Sequence, residues 1–406
     1  MISYIEARRI LIEAAEARAG AVPLLHEKVE LAESLGRVLA ETLLADRDAP
    51  PFDRSTRDGF AVRSADVAAV PARLTLAGEV RAGGQFSATV GPGQCVQIMT
   101  GAPVPAGADA VVMIEHTEPA VDSVVIRRPV ARGENVVPRG SEAGRGSEIL
   151  RAGHRLGYAE VAIAAQFGHD HLPVFLRPRV AILSTGDEVV PVSATPGPFQ
   201  IRNSNASSLS AQVALAGGIP VPLGPVADDS ARLRLYIEEG LAADALVLTG
   251  GVSAGKYDLV EDVLRELGAS MLFDAVAIRP GRPAVLAMCR EKPVLGLPGN
   301  PVSTMVTFEL FGVPLLDILS GAPPRPLPLL KARLSHAVRL KAPLTHFLPA
   351  ELTWQEGEAQ VAELAWQGSG DIAALARANC FLVIPENTLE HVAGDWVSIL
   401  PRRDRI

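Results

Sequence analysis

The chain of 406 residues is 48% hydrophobic, 21% charged and 4% aromatic, with a formal net charge of −8. That length suggests roughly two to four domains with large cores and excludes a disordered chain. The acidic balance provides no global attraction for nucleic acid, and the scarcity of aromatics argues against stacking platforms for single strands.

The N-terminal segment carries acidic residues from Glu6 on and does not read as a signal peptide. Ser3-x-x-Glu6 reads as a capping box, followed by Ala7, Ile10, Leu11, Ala14 and Ala17 at helical spacing. A second short helix fits Ala32–Thr42, with Leu35, Val38 and Leu39 on one face. Ala49-Pro-Pro-Phe-Asp53 reads as a hinge. From Phe60 to about Val137, short runs such as ARLTLAGEV and AVVMIEHTE alternate with Gly/Pro turns and predict a β-rich unit. The Gly/Ser/Glu-rich stretch Arg139–Ser147 follows, then a helix at Tyr158–Phe167.

From Val180 the pattern alternates. The strand VAILST precedes a helix near Ser207–Ala216, the strand PVPLG and a helix near Ser230–Glu239. The strand ALVLT, a helix, the strands AVLAMC and VLGLP and a last helix complete it. This alternation predicts a doubly wound parallel sheet. Beyond the stiff linker Pro323–Pro328, runs such as HFLPAELTW and CFLVIPE suit a small barrel or sandwich. The three cysteines lack CxxC spacing, which fits a reducing, cytoplasmic setting without disulfides or structural zinc. The long uncharged stretches are broken by Gly and Pro, so no membrane span is expected.

Two strand–loop–helix junctions carry the strongest chemical signal: ALVLTGGVSAGKYD, with Gly250, Gly251, Ser253 and Asp258, and VLGLPGNPVS, with Pro298, Gly299, Asn300 and Pro301. Such junctions present backbone N–H groups to anions, although ordinary βα turns have similar composition. The first also fits GxxxxGK, but Tyr257 replaces the magnesium-binding Ser or Thr. Gly251-Val-Ser253-Ala-Gly255 also fits a nucleophile elbow, without an HGGG-type oxyanion motif. Ser184-Thr185-Gly186-Asp187-Glu188 ends a strand with paired carboxylates suited to Mg2+, or caps a turn. Asp258 adds a third acid or an N-cap, and Arg279-Pro-Gly-Arg282 puts two guanidinium groups around a rigid turn. Asp58, Thr100 and Ser369 occupy Gly/Pro-fixed loops that alone read as turns. The balance favours metal-assisted phosphoryl or oxyanion chemistry over acyl transfer.

In this order, PPFDRSTRDGFAV, IMTGAPVPAGADAVVMIE, ILSTGDEVV, LTGGVSAGKYD, AIRPGRP, LGLPGNPVS and QGSGDIAALARANCFLVIP closely resemble molybdopterin molybdenumtransferases, the family that includes the C-terminal domain of gephyrin. The resemblance spans about Ser3 to Leu400. It implies a multi-domain α/β and β fold. Residues 1–46 and 140–177 would form a discontinuous helical dimerisation or linker domain, and 47–139 a β-rich lever. Residues 178–326 would form the doubly wound α/β molybdopterin-binding domain, and 327–406 a β-barrel.

The implied substrates are adenylylated molybdopterin and molybdate, with Mg2+-dependent phosphoanhydride cleavage releasing AMP. A homodimer with an inter-subunit site is implied, as is contact with the adenylyltransferase and with acceptor apoenzymes. Asp58 and Thr100 would reach the partner's site, while Asp187, Glu188 and Asp258 would handle metal and phosphates. Ser184, Thr185, Gly186, the two glycine loops, Arg279, Arg282 and Ser369 would bind substrate. The chain departs from the family pattern in having arginines where lysines are frequent (Arg279, Arg282), Glu142 for an aspartate, and Pro349 where a fourth-domain arginine is expected. The rival readings are a molybdopterin adenylyltransferase and a non-catalytic molybdopterin-binding scaffold.

Overall fold

A computed structural model of the chain describes residues 1–251, 259–340 and 343–405. Helix α1 (Tyr4–Ala21) starts at Ser3, whose hydroxyl accepts the Glu6 N–H at 3.1 Å. Its buried face of Ala7, Leu11 and Ala15 packs into the core beneath the α/β sheet.

Strand His26–Glu30 pairs antiparallel with His171–Phe175, and Leu43–Leu44 pairs with Glu148–Leu150. The two distant segments thereby share a core that includes Val29, Leu39, Leu156 and Leu172, with α2 (Tyr158–Gln166) contributing Ala164. The expected helix over Ala32–Thr42 does not form. Only Leu31–Glu33 makes a helical turn, of 3-10 type. Gly36 takes φ +76°, and Val38 and Leu39 extend to bridge Arg155 and Val174. Leu39 gains full burial by that pairing, which overrides the helical spacing of its neighbours.

The lever hangs between these segments on a two-stranded neck, Arg54–Ser55 against Val136–Val137. Its six-stranded sheet runs Ala110–Met113, Gly59–Val62, Gln94–Ile98, Ala72–Val80, Ser123–Ile126 and Thr117–Pro119. Successive residues feed opposite faces: Phe60 and Val62 join one core, and Ala61 the other.

The α/β unit has a six-stranded sheet in the order Ile219–Val226, Arg179–Thr185, Ala245–Thr249, Lys292–Leu297, Val285–Cys289, Ser270–Phe273. The first four strands are parallel, but the last two are antiparallel to their neighbours. The reason lies in the connection. Arg290 and Glu291, both at positive φ, form a two-residue hairpin that leaves no room for a crossover helix. Helices α3 (Ser204–Leu215), α6 (Pro301–Thr307) and α7 (Val313–Leu319) cover one face, and α4 (Ser230–Gly240) and α5 (Leu259–Glu266) the other. A π-helical turn, Phe308–Gly312, joins α6 to α7. By length and composition, Pro301–Leu319 is apolar enough to cross a membrane, yet 89% of that window is buried inside the protein.

The C-terminal strands close into a five-stranded barrel: Thr345–Gln355, Glu358–Glu363, Leu330–Leu334, Trp396–Pro401, Cys380–Ile384 and back to Thr345–Gln355. The short helix α8 (Ile372–Arg377) is capped by Asp371. Ile278–Arg279 of the α/β unit pairs with Thr345–His346 of the barrel, so the two units share backbone hydrogen bonding.

Asp317 on α7 is fully buried. It accepts from Arg155 at 3.0 Å and from the Arg325 side chain at 2.5 and 2.9 Å, and from the Arg325 backbone N–H at 3.0 Å. Removing one side of such a buried cluster strands the rest. Asp317→Ala is expected to cost about 3 kcal/mol, read as a lower midpoint of thermal unfolding than in the parent protein.

Candidate functional site

Three strand ends meet at one edge of the α/β sheet. After Thr185 the chain turns at Gly186, which takes φ +139° and donates its N–H to the Val226 carbonyl at 3.1 Å. After Thr249 it turns through Gly250 and Gly251, both at positive φ. A Cβ on Gly250 would lie 2.6 Å from the Thr185 carbonyl oxygen, so only glycine lets these two loops touch. After Leu297 comes Pro298-Gly-Asn-Pro301, where a Cβ on Gly299 would sit 3.5 Å from Gly250 Cα.

Between the loops lies a cleft of about 400 Å3, lined by Ser184, Thr185, Gly186, Glu188, Gly250, Gly251, Pro298, Gly299, Asn300 and Pro301. Nine of the expected substrate-binding positions, together with Glu188, thus converge at one place. The N–H groups of Gly299 and Asn300 have no acceptor among the described residues, as an anion-binding loop requires. Thr185 Oγ1 and Asn205 Oδ1 are buried without a partner among the described residues. Buried polar atoms are normally paired, so these two mark the wall as built for a polar ligand.

The other expected residues are placed differently. Ser253 and Asp258 lie outside the described residues. Asp187 is exposed, and its Oδ1 accepts the Asp228 N–H at 3.1 Å, fixing the facing turn. Arg279 and Arg282 are exposed, and their guanidinium groups have no hydrogen-bond or ion-pair partner among the described residues. Ser369 sits on the barrel loop before α8, and its carbonyl accepts the Val302 N–H at 2.9 Å. The barrel loop is therefore fastened directly to the loop that begins α6.

Asp58 and Thr100 do not line this cleft. They meet on the lever, where Asp58 Oδ1 accepts the Thr100 N–H at 2.6 Å and its hydroxyl at 2.9 Å. Those two bonds, the backbone one foremost, hold the Asp58 carboxyl below its ordinary range.

Sequence reasoning missed the second layer. Asn203 caps α3 by accepting the Ala206 N–H and lies 3.0 Å from Ser184 Oγ, which donates to its side-chain oxygen. Thr249 and Thr304 both direct hydroxyls to the Pro298 carbonyl, at 3.1 and 2.6 Å. Asn203, Asn205 and Asp228 all line the cleft. The Arg202-Asn-Ser-Asn205 run across the start of α3 was the available signal, because two asparagines around a helix start exceed what one cap needs.

Among the described residues, no group of three or more His, Cys, Asp or Glu side chains gathers to hold a metal ion. The cleft does offer oxygen donors, with Glu188 on one rim and Asp228 opposite. Oxygen-only donors suit a hard divalent cation that keeps water and ligand oxygens in its shell.

Comparison with known proteins covers nearly the whole chain. Residues 2–168 match the MoeA N-terminal region (domain I and II), residues 181–318 the probable molybdopterin binding domain, and residues 331–401 the MoeA C-terminal region (domain IV). A molybdopterin molybdenumtransferase of Bacillus subtilis is 37% identical over 388 residues, covering 93% of this chain and 90% of the relative. One from Staphylococcus aureus is 33% identical over 378 residues, covering 92% and 90%. Among solved structures, a molybdopterin biosynthesis moeA protein from Pyrococcus horikoshii superposes with a TM-score of 0.81 at 29% identity, covering 99% of this chain and all of that one. Another structure of a moeA protein from that organism gives 0.73 at 32%, covering 96% and 98%.

The Asp58–Thr100 pair makes a testable pH statement. A carboxyl held below its ordinary range favours the folded lever above its unfolded pKa, and that contribution is lost as pH falls through the folded value. Thr100→Val removes the hydroxyl bond and leaves the backbone one. Asp58 should then titrate at higher pH than in the parent, yet still below an unperturbed aspartate, as followed by carboxyl-carbon NMR.

Proposed function

Because the chain belongs to the molybdopterin molybdenumtransferase family and so serves molybdenum cofactor biosynthesis, we propose that this cleft binds adenylylated molybdopterin and molybdate and releases AMP with the finished cofactor. The observation that carries this reading is the convergence of three glycine-bearing loops at one sheet edge. The free N–H groups of Gly299 and Asn300 border the same cleft as the Glu188 carboxylate. A phosphoanhydride needs that combination, because its cleavage depends on positioning and charge neutralisation more than on covalent help from the protein.

In this reading Pro298, Gly299, Asn300 and Pro301 shape the cradle for the pterin side. Ser184, Thr185, Gly186, Gly250, Gly251 and Ser253 surround the phosphates. Glu188 and Asp258 would hold Mg2+, while Asp187 serves as the brace that fixes the turn at Asp228. When bound, the metal neutralises charge on the bridging phosphates. Arg279, Arg282 and Ser369 flank the cleft where α/β unit and barrel join, and bind the molybdate oxyanion. Two unpaired guanidinium groups supply forked donors for a tetrahedral anion, the role for which the expected fourth-domain arginine is not available at Pro349.

Asp58 and Thr100 are rigid on the lever and absent from the cleft walls of their own chain, which supports a homodimer in which each lever completes its partner's site. The division into a discontinuous linker unit, lever, α/β unit and barrel serves that arrangement. We place the enzyme in the cytoplasm, apart from membranes and nucleic acid, with the adenylyltransferase upstream and acceptor apoenzymes downstream.

Purified protein with adenylylated molybdopterin and Mg2+ should release AMP only when molybdate is added. Glu188→Ala should lower that rate by about a hundredfold or more while leaving the fold intact. AMP release without molybdate dependence would refute the metal-insertion reading, and adduct formation from ATP and molybdopterin would favour an adenylyltransferase. Mixing Asp58→Ala with Glu188→Ala subunits should restore part of the activity, since one site per mixed dimer is intact; no recovery after subunit exchange would reject the shared site.

A further inference from the structure

Asn205 sits in the first turn of α3, half-buried, yet the cap of that helix is Asn203 and the Asn205 side chain turns to other partners. Its Nδ2 donates to Thr249 Oγ1 at 2.9 Å and to the Gly299 carbonyl at 2.7 Å. The first acceptor ends the strand that leads into Gly250; the second belongs to the neighbouring proline-flanked loop. One amide group therefore holds two loops that are not adjacent in sequence. The Gly299 carbonyl accepts and cannot donate, so the amide can face it only through nitrogen. That fixes the side-chain orientation and leaves Oδ1 buried in the cleft wall, where it has no partner among the described residues.

We infer that Asn205 is a positioning residue that sets the spacing of the Gly250 and Gly299 loops and thereby the anion-binding geometry of the cleft floor. The inference builds on the proposed substrate reading. A Cβ on Gly299 would meet Gly250 Cα at 3.5 Å, an ordinary contact, so the two loops lie side by side and their spacing rests on the bonds that link them. Thr249 extends the same clamp, because its hydroxyl accepts from Asn205 and donates to the Pro298 carbonyl at 3.1 Å. Losing Asn205 would remove the donor that the Gly299 carbonyl and the Thr249 hydroxyl share, and the free N–H groups at Gly299 and Asn300 would lose their fixed direction.

The test uses full-length Asn205→Ala and Asn205→Asp, with Thr249→Val as a milder cut in the same clamp. Asn205→Ala should raise KM for adenylylated molybdopterin about tenfold, the loss of two modest hydrogen bonds, and change kcat by less than about threefold. Hydrogen–deuterium exchange, which needs no substrate, should quicken at Val302 and Thr304, whose N–H groups donate to the Ser369 and Asn300 carbonyls.

Asn205→Asp provides the discriminating signature. An ionised carboxylate would face the Gly299 carbonyl, acceptor against acceptor, whereas a protonated carboxyl regains one donor. Its KM penalty should therefore shrink as pH falls toward about 4, the ordinary aspartate range, relative to the parent measured alongside. Unchanged exchange at Val302 and Thr304 in both Asn205→Ala and Thr249→Val would overturn the inference. So would a fall in kcat with KM unchanged, or an Asn205→Asp penalty that is flat with pH. Absence of AMP release by the parent protein would instead reject the substrate reading, while the exchange result would still decide the clamp.

Discussion

The arrangement of this molecule depends on a carboxylate placed where water cannot reach it. Asp317 lies on α7 beneath the α/β sheet, and its partners come from elsewhere: Arg155 from the discontinuous unit and Arg325 from the proline-rich linker to the barrel. Arg8 of α1 reaches the Leu310 and Arg325 carbonyls, and Glu309 pairs with Arg403 near the C-terminus. Burial disfavours the charged forms of Arg8, Arg155 and Arg403, so each guanidinium is tolerated there only because oxygen surrounds it. Such a cluster accepts one geometry and rejects others. It therefore fixes how the linker, the N-terminal helix and the chain end meet the central sheet.

That geometry is passed to the cleft through a single helical rod. From Asn300 the chain runs without interruption through α6, the π turn and α7 to Asp317. At the near end Thr304 grips the Pro298 and Asn300 carbonyls, and Val302 holds the barrel loop at Ser369. The loop that shapes the cleft and the residue that joins the units are thus opposite ends of one buried element. Rigid support of this kind lets small loops present backbone groups with defined direction, which electrostatic work on a phosphate requires.

Much of this was legible in the chain. Ser3 capped the helix it was expected to cap, and the β-rich texture after the hinge became the lever sheet. The strand-to-helix junctions rich in glycine converged, because parallel strands must end on one edge. Other features resisted reading for physical reasons. Leu35, Val38 and Leu39 carry helical spacing, but Leu39 is buried by pairing with a segment more than a hundred residues away, information no local window contains. The antiparallel edge turned on a hairpin built from Arg290 and Glu291, neither of which is an expected residue for positive φ. At the cleft, the first layer was marked by glycine and proline, whose backbone demands show in sequence. The second layer of Asn203, Asn205, Thr249 and Thr304 consists of ordinary polar residues, whose importance arises only from what folding brings beside them.

The two-stranded neck of the lever has a further consequence. Ser55 and Val136 are partners across it, so the chain leaves and re-enters the rest of the molecule about one strand spacing, ~5 Å, apart. Topologically the lever is a cassette: everything between its ends could be exchanged for another folded unit with adjacent termini without rerouting the remaining chain. Its cores are its own, shared with neither the sheet nor the barrel. In evolutionary terms the backbone leaves the arm replaceable only as one unit, while the Asp58–Thr100 pair that it carries and the glycine loops of the cleft stay under the constraint of their chemistry.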